Sequence, residues 1–254
     1  MGSFIVAIPS YRRADKQITL EYLSRMGMPK ERIYIFVQTG SDLEAYSKYE
    51  GLANIRYAPA DGVSKARNNI LNELAERANL LMIDDDISCI SRLRNEKLVP
   101  INSLEEFEST IEKCFSQSAK GNASMFGVYP VYNEFFMSNT ISTAVSVVCV
   151  LGFPKGFKFR FDETFKTKED IELCVRILSL KGKVFRYNFL AANAKHRTNA
   201  GGCYEIWHSD ENAAVAKRLS GKYPQMLAVN KKNPSEVRML LKDVKIQLGR
   251  KDIR

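Results

Sequence analysis

The sequence lacks the short motifs that identify several common classes of nucleotide-using and metal-using enzymes. No G-x-G-x-x-G follows the first predicted strand, and no G-x-x-x-x-G-K-[ST] occurs. These absences argue against a dinucleotide-binding Rossmann site and against a P-loop NTPase. Neither C-x-x-C nor H-E-x-x-H is present, so no zinc site is predicted.

Cysteines are few, and long apolar runs are missing. The five cysteines are an odd, scattered set, which favours reduced thiols in a cytosolic protein over a disulfide framework. The longest apolar run, residues 143–153, is about half the length that a membrane-spanning helix requires. The stretch SFIVAIP has neither the basic lead nor the cleavage site of a secretory signal. We therefore expect a soluble protein in the cytoplasm, with no membrane partner.

Positive charge is concentrated near the end of the chain. The net charge is +9 over 254 residues. Residues 217–254 hold eleven lysines and arginines against three acidic residues, a net charge of +8. A basic segment on a nearly neutral body indicates a polyanionic partner, with nucleic acid favoured over a membrane surface. A solvated, helical C-terminus without a partner is the alternative reading.

Strands and helices alternate in the first part of the chain, which predicts a mostly parallel α/β sheet flanked by helices. Apolar β-rich runs and helical spacing give, in order, strand 3–10, helix 14–28, strand 32–39, helix 41–50, strand 54–60, helix 62–79 and strand 80–83. Ligands bind beyond the carboxyl ends of strands in such sheets. The residues after strands 3–10 and 80–83 are therefore expected to share one edge.

The second part is more mixed. A helix over 103–119 begins with a capping box, and two antiparallel strands are predicted within 124–132 and 141–153. A helix over 168–182 and a strand over 183–197 follow. We expect a catalytic domain over residues 1–204. A basic, mostly helical extension over 205–254 is expected to pack on the same domain.

Three adjacent aspartates follow the strand in NLLMIDDDIS. Clustered carboxylates at the end of a buried strand cost stability unless positive charge lies beside them. Asp84 and Asp86, spaced two residues apart, are suited to hold Mg²⁺ or Mn²⁺ through their oxygens, and such a cation grips a diphosphate. An acidic turn that caps the following segment is the alternative. The pattern does not decide which two of the three carboxylates bind the ion.

Two further features could carry chemistry. Glu169 and Asp170 open the helix after FDETFKTK, where one of them could act as a general base. Acidic residues are also favoured there by the helix dipole alone. His196 ends a strand beside a glycine pair, where it is either a ligand or a structural hydrogen-bonding residue.

The segment PSYRR follows the first strand. Arg12 or Arg13 could pair with a diphosphate, and Tyr11 could stack on a base. A surface turn is an equally good interpretation of this segment in isolation.

Five motifs in order, IPSYRR, GVSKARNNIL, LLMIDDDIS, KEDIEL and a late KH, resemble those of the GT-A glycosyltransferases of the family-2 type. The resemblance covers residues 3–200 and implies a GT-A-like Rossmann-type sheet with an antiparallel second half. It implies a nucleotide-sugar donor, most often a UDP-sugar, together with Mn²⁺ or Mg²⁺. The implied donor-binding residues are Pro9, Ser10, Tyr11, Arg12, Arg67, Asp84 and Asp85.

The same resemblance implies a metal held by Asp84, Asp86 and His196. It makes Asp170 the base of an inverting transfer, with Glu169 beside it. Within the group, the chain is similar to the TET-associated glycosyltransferases of phages, which implies transfer of a hexose to hydroxymethylcytosine or another 5-hydroxymethylpyrimidine in DNA, in the host cytoplasm. Two alternatives stay open: a metal-dependent nucleotidyltransferase, and a non-enzymatic nucleic-acid-binding module on a degenerate transferase fold.

Overall fold

The computed structural model describes residues 4–194 and 210–247. The strands in chain order are β1 (Phe4–Ser10), β2 (Ile33–Val37), β3 (Asn54–Tyr57), β4 (Asn79–Ile83), β5 (Ile87–Arg94), β6 (Lys97–Pro100), β7 (Met125–Tyr129), β8 (Thr140–Ser142), β9 (Val150–Phe153), β10 (Val184–Ala194), β11 (Leu227–Val229), β12 (Val237–Met239) and β13 (Lys245–Gln247). The helices are α1 (Ile18–Arg25), α2 (Gly40–Tyr46), α3 (Val63–Leu74), α4 (Leu104–Lys120), α5 (Glu169–Ser179) and α6 (Asp210–Lys222).

The first half of the main sheet is parallel, as the alternation of strands and helices predicted. Its strands lie in the order β3-β2-β1-β4, and β1 pairs with both β2 and β4. Val6 is opposite Ile33 on one side, and Phe4 is opposite Asn79 on the other. Parallel strands require crossover helices, which place all four carboxyl ends at one edge of the sheet.

Antiparallel pairing enters in the second half, where β9 lies between β4 and β7 and runs against both. Because β7 then runs parallel to β4, and β10 runs parallel to β7, the carboxyl ends of these strands meet at the edge that carries the aspartates. The carboxyl ends of β1, β4, β7 and β10 therefore share one edge of the sheet.

The sequence interpretation left residues 87–100 unassigned, and they form a hairpin. Strands β5 and β6 pair antiparallel, and β5 also pairs with β10. The two-residue turn at Asn95 and Glu96 has positive φ at both positions, 47° and 61°. This backbone suits a tight hairpin, but Asn-Glu is a weaker signal than Asn-Gly.

The predicted strand over 141–153 is interrupted. β8 ends at Ser142 and β9 begins at Val150, immediately after Cys149, which takes a left-handed conformation with φ 62°. A left-handed residue cannot continue a strand, so β9 can begin only after Cys149.

Helices cover both faces of the sheet. Apolar side chains of α1, α2 and α4 pack on one face, and those of α3 and α5 pack on the other. The predicted start of α4 is confirmed by half of the capping box: Ser103 Oγ accepts the N–H of Glu106 at 3.2 Å, while the Glu106 carboxylate pairs with Arg94 at 2.5 Å. α5 ends at Ser179, and the Gly182 N–H donates to the carbonyl of Ile177 at 3.0 Å.

The C-terminal segment is less helical than predicted. Only α6 is helical within residues 210–247; β11 and β12 form a separate hairpin, and β13 pairs with β8 in the main sheet. A third apolar cluster, which includes Phe165, Val215 and Leu219, joins α6 to the region around α5. The predicted domain boundary at residue 204 lies outside the described residues. Among the described residues, no helix is both long and apolar enough to cross a membrane.

Candidate active site

The three aspartates directly follow β4, as predicted, and lie in its short connection to β5. Thr19 of α1 holds the backbone of this connection: its hydroxyl donates to the Asp84 carbonyl and accepts the N–H of Ile87 at 2.9 Å. The Asp84 N–H donates to the Cys149 carbonyl at 3.0 Å. These bonds hold the backbone at both ends of the aspartate triplet.

Asp85 points into the protein. Its carboxylate accepts hydrogen bonds from the Ser10 hydroxyl and, at 2.5 Å, from Arg13 Nη1. Gln17 and the Tyr46 hydroxyl extend this buried network, each within 2.9 Å of Ser10 Oγ. Burial raises the pKa of Asp85 to about 6, although Arg13 and Ser10 oppose the shift.

Arg67 of α3 joins the aspartates to the acid pair at the start of α5. Its Nη2 donates to Asp84 Oδ1 at 2.8 Å, and its Nη1 lies 3.2 Å from Glu169 Oε1. Only 4% of Arg67 is exposed. Burial alone would lower the pKa of the guanidinium, but Asp84 and Glu169 outweigh it and raise the pKa. Arg67 is therefore a buried cation shared by two acidic groups.

Glu169 and Asp170 occupy the first turn of α5, where the helix dipole favours negative charge. Glu169 is buried, and burial raises its pKa to about 8, against the opposing effect of Arg67. Asp170 is half-buried, and burial raises its pKa as well, with Arg67 again opposing. Lys168, directly before the pair, is left-handed with φ 59°.

The positive charge beside the aspartates comes from two arginines. Arg67 pairs with Asp84, and Arg13 lies 2.5 Å from Asp85 and 3.7 Å from Asp86. The electrostatic cost of the cluster is thus offset by the chain's own side chains, and the sequence argument that a metal ion was needed for this purpose does not hold by itself. Among the described residues, no group of three or more His, Cys, Asp or Glu side chains is arranged to hold a metal ion.

The structure places the other predicted donor-binding residues at the end of β1 and just beyond it. Pro9 and Ser10 are the last residues of β1. Arg12 is exposed and left-handed with φ 54°, and its guanidinium lies 4.9 Å from the centre of the Tyr11 ring. His196 lies outside the described residues, so its predicted role as a metal ligand stays a prediction.

Sequence reasoning missed several residues that build the site. Gln17, Thr19 and Tyr46 support the acid cluster from α1 and α2, and nothing in their local pattern distinguishes them from ordinary helix residues. Arg13 was considered only as an alternative to Arg12 for a diphosphate. Its contact with Asp85 depends on how the chain turns after β1.

Solved structures define the class of fold. S. aureus TarS 1-349 is similar, with a TM-score of 0.50 and 16% identity over 86% of this chain and 65% of that one. Mannosyltransferase PcManGT from Pyrobaculum calidifontis, in complex with GDP-Man and Mn²⁺, gives a TM-score of 0.52 and 12% identity over 88% of this chain and 64% of that one. Glucosyl-3-phosphoglycerate synthase from Mycobacterium tuberculosis gives a TM-score of 0.51 and 9% identity over 86% of this chain and 79% of that one. The fold is therefore that of the GT-A glycosyltransferases.

The family follows from the sequence match. The TET-associated glycosyltransferase family model matches residues 4–202, and the chain belongs to that family. It spans just under two thirds of the length of the first two solved structures, 65% and 64%. No curated protein sequence matches it.

Proposed function

We propose that this protein is a metal-dependent glycosyltransferase that moves a sugar from a nucleotide-sugar to a 5-hydroxymethylpyrimidine in DNA. The observation that carries the proposal is the position of Arg67, which contacts Asp84 at 2.8 Å and Glu169 at 3.2 Å. It joins the acid cluster that would face the donor to the acid pair that would face the acceptor. Membership of the TET-associated glycosyltransferase family supports both the reaction and the acceptor.

The aspartates fit a divalent cation of the kind that the family fold implies. Mg²⁺ sites commonly use one or two carboxylates and complete their coordination with substrate phosphates and water, so a cluster of three protein ligands is not required. Asp84 and Asp86 would hold Mn²⁺ or Mg²⁺, which when bound would neutralise charge on the donor's diphosphate. PcManGT, whose fold is similar, was solved with GDP-Man and Mn²⁺. A UDP-sugar is the donor that we propose.

The acid pair would carry the proton transfer. The acceptor hydroxyl attacks the anomeric carbon of the donor, the bond from that carbon to the diphosphate oxygen breaks, and the nucleoside diphosphate leaves. Asp170, half-buried at the start of α5, would accept the hydroxyl proton. Burial raises its pKa, which makes the carboxylate a stronger base than an exposed aspartate. Arg67 opposes the rise in the pKa of Asp170, while burial raises the pKa of Glu169 to about 8, so that Glu169 retains its own proton near neutral pH.

Charge and exposed aromatic side chains support DNA as the acceptor. Binding to a DNA duplex would release the counterions of the phosphates that exposed lysines neutralise. Four lysines of the C-terminal segment are exposed: Lys231, Lys232, Lys242 and Lys245. Phe135 and Phe136 are 89% and 65% exposed in the loop after β7, a strand whose carboxyl end lies at the sheet edge that carries the aspartates. Exposed aromatic rings stack on unpaired bases, and a base must leave the duplex to reach a recessed site.

The test is a transfer assay with a panel of nucleotide-sugars, with and without Mn²⁺, on duplex DNA that contains 5-hydroxymethylcytosine, 5-hydroxymethyluracil or unmodified cytosine. We expect the mass of a hydroxymethylated strand to increase by one sugar, and the mass of the unmodified strand to stay the same. The increase should occur only when Mn²⁺ is present. Transfer to a different hydroxyl acceptor would retain the enzyme class and overturn the DNA acceptor. Pyrophosphate release from a nucleoside triphosphate would instead favour the nucleotidyltransferase alternative.

A further inference from the structure

The turn that precedes the acid pair combines three unfavourable features at one residue. Lys168 is left-handed with φ 59°, a conformation that costs a residue with a Cβ about 1–2 kcal/mol. Its side chain is a cation at the positive end of a helix. Lys168 is also only 2% exposed, and burial penalises its charge. Such a turn persists only where surrounding contacts hold it.

Asn212 of α6 supplies contacts of that kind. Its Oδ1 accepts a hydrogen bond from the Lys168 ammonium and another, at 3.3 Å, from the Thr167 hydroxyl. Asn212 is 2% exposed, so the two bonds form away from competing water. One carboxamide oxygen therefore engages the two residues directly before Glu169.

The same turn is held from the opposite side by α3. The Ser64 hydroxyl donates to the backbone carbonyl of Phe165, and α3 also carries Arg67, which contacts Glu169. The Phe165 ring packs in the apolar cluster of α6, with the Arg218 guanidinium 4.2 Å from the ring centre. Residues 165–168 are thus fixed between the helix that carries the buried cation and the helix that opens the basic segment.

We propose that Asn212 is a positioning residue for the acid pair: by holding Thr167 and Lys168, it sets where Glu169 and Asp170 enter the site. Because α6 is the first described element of the C-terminal segment, the part of the chain that would dock on DNA is then connected, through Thr167 and Lys168, to the helix turn that carries the residue that would accept the proton. The expected effect of Asn212 on sugar transfer rests on the proposed function. Its expected effect on the order of the turn rests only on the contacts with Thr167 and Lys168.

Two substitutions at this position and one beside it test the role. Asn212→Ala removes the acceptor oxygen, and we expect the turnover number for sugar transfer to fall about tenfold to a hundredfold, with the KM for the nucleotide-sugar within about twofold of the parent. Asn212→Asp keeps an oxygen in place and is expected to retain most of the turnover. Glu211→Ala is the matched control, since it removes the exposed ion pair of 3.8 Å with Lys166 from the same helix.

A second measurement does not depend on catalysis. Amide hydrogen exchange over residues 168–172 is expected to accelerate in Asn212→Ala, and to stay at the parent rate in Glu211→Ala and Asn212→Asp. Unchanged exchange over 168–172 in a folded Asn212→Ala protein would overturn the positioning role, as would a loss of thermal stability with turnover intact. If the parent protein transfers no sugar to any acceptor, the proposed function fails, and exchange alone then decides the role of Asn212.

Discussion

Nη1 of Arg67 and Oε1 of Glu169 lie 3.2 Å apart, although along the chain one residue precedes and the other follows the strand that ends in the three aspartates. Both side chains are almost completely buried. A buried ion pair is balanced by its partners, and removal of one partner leaves a charge without compensation. A substitution at either of these two site residues is therefore expected to lower the stability of the fold.

Replacing Arg67 with methionine is expected to destabilise the protein by about 3–5 kcal/mol, the usual cost of breaking a buried ion pair from one side. The measurement is urea unfolding followed by circular dichroism above pH 8, where Glu169 is ionised and forms an ion pair with Arg67. The double variant Arg67→Met/Glu169→Gln also removes the Glu169 charge, so part of the lost stability should return. The double-mutant cycle then gives the interaction free energy between the two side chains. Additive losses in the cycle would show that the two side chains do not interact energetically.

Asp84→Asn and Asp86→Asn are each expected to abolish sugar transfer and the Mn²⁺-dependent thermal shift caused by a nucleoside diphosphate, because each removes an anionic oxygen that the cation would use. The fold should survive, as judged by circular dichroism. Asp61→Asn, an exposed carboxylate on the loop after β3, is the control and should behave as the parent. Full activity of either variant in the presence of EDTA would exclude the metal mechanism.

Asp170→Asn is expected to separate binding from chemistry. The amide cannot take a proton from the acceptor, so transfer should fall by a factor of about 10² to 10⁴, while the thermal shift by nucleoside diphosphate and Mn²⁺ should match that of the parent. The measurement is single-turnover transfer beside the thermal shift. Unchanged turnover would remove Asp170 from the mechanism.

The pKa of Glu169, raised by burial from 4.5 to about 8, predicts a specific pH dependence of stability. The folded protein keeps the Glu169 proton over this interval, whereas the unfolded chain releases it above pH 4.5. The free energy of unfolding therefore gains a contribution that decreases as the pH rises from about 4.5 to about 8. Glu169→Gln should flatten the curve of unfolding free energy against pH within that window.

The control for this measurement is Glu105→Gln, an exposed position on α4, which should leave the shape of the curve unchanged. Identical curves for Glu169→Gln and the parent would mean that Glu169 titrates at its ordinary pKa in the folded protein.

Changing four exposed lysines of the C-terminal segment to glutamine is expected to weaken DNA binding. For every phosphate that the variant no longer neutralises, the slope of log affinity against log salt concentration should become shallower by about 0.9. Substitution is a better test than deletion of residues 217–254, because Leu219 and Leu227 belong to an apolar cluster and β13 pairs in the main sheet. The substituted lysines are Lys231, Lys232, Lys242 and Lys245.

A matched set of four exposed lysines elsewhere serves as the control and should leave the salt dependence nearly unchanged: Lys30, Lys97, Lys120 and Lys181. An affinity of the parent protein that does not vary with salt would contradict docking through phosphates. Equal losses of affinity from both sets would show that net charge matters and the C-terminal location does not.

Local sequence was sufficient for the elements whose pattern is strong and self-contained. The start of α4 was predictable because the Ser103 side chain caps the helix from within the local sequence, and β1 and β4 were predictable because continuous apolar runs suit buried parallel strands. The β5–β6 hairpin could not be predicted, because its turn depends on the left-handed conformation of Asn95 and Glu96. The start of β9 could not be predicted either, because it follows left-handed Cys149, and a cysteine carries no local signal for that conformation.

For the site, the sequence by itself determined which acidic residues gather at the carboxyl edge of the sheet, because strand direction and the order of strands and helices place Asp84–Asp86 there. Only the tertiary structure decided their electrostatic partners. Arg13 reaches Asp85 and Arg67 reaches Asp84 and Glu169 because the turn after β1 and the packing of α3 against α5 bring them together. A guanidinium on a long side chain can meet any of several carboxylates, and no local pattern specifies which contact the folded chain selects.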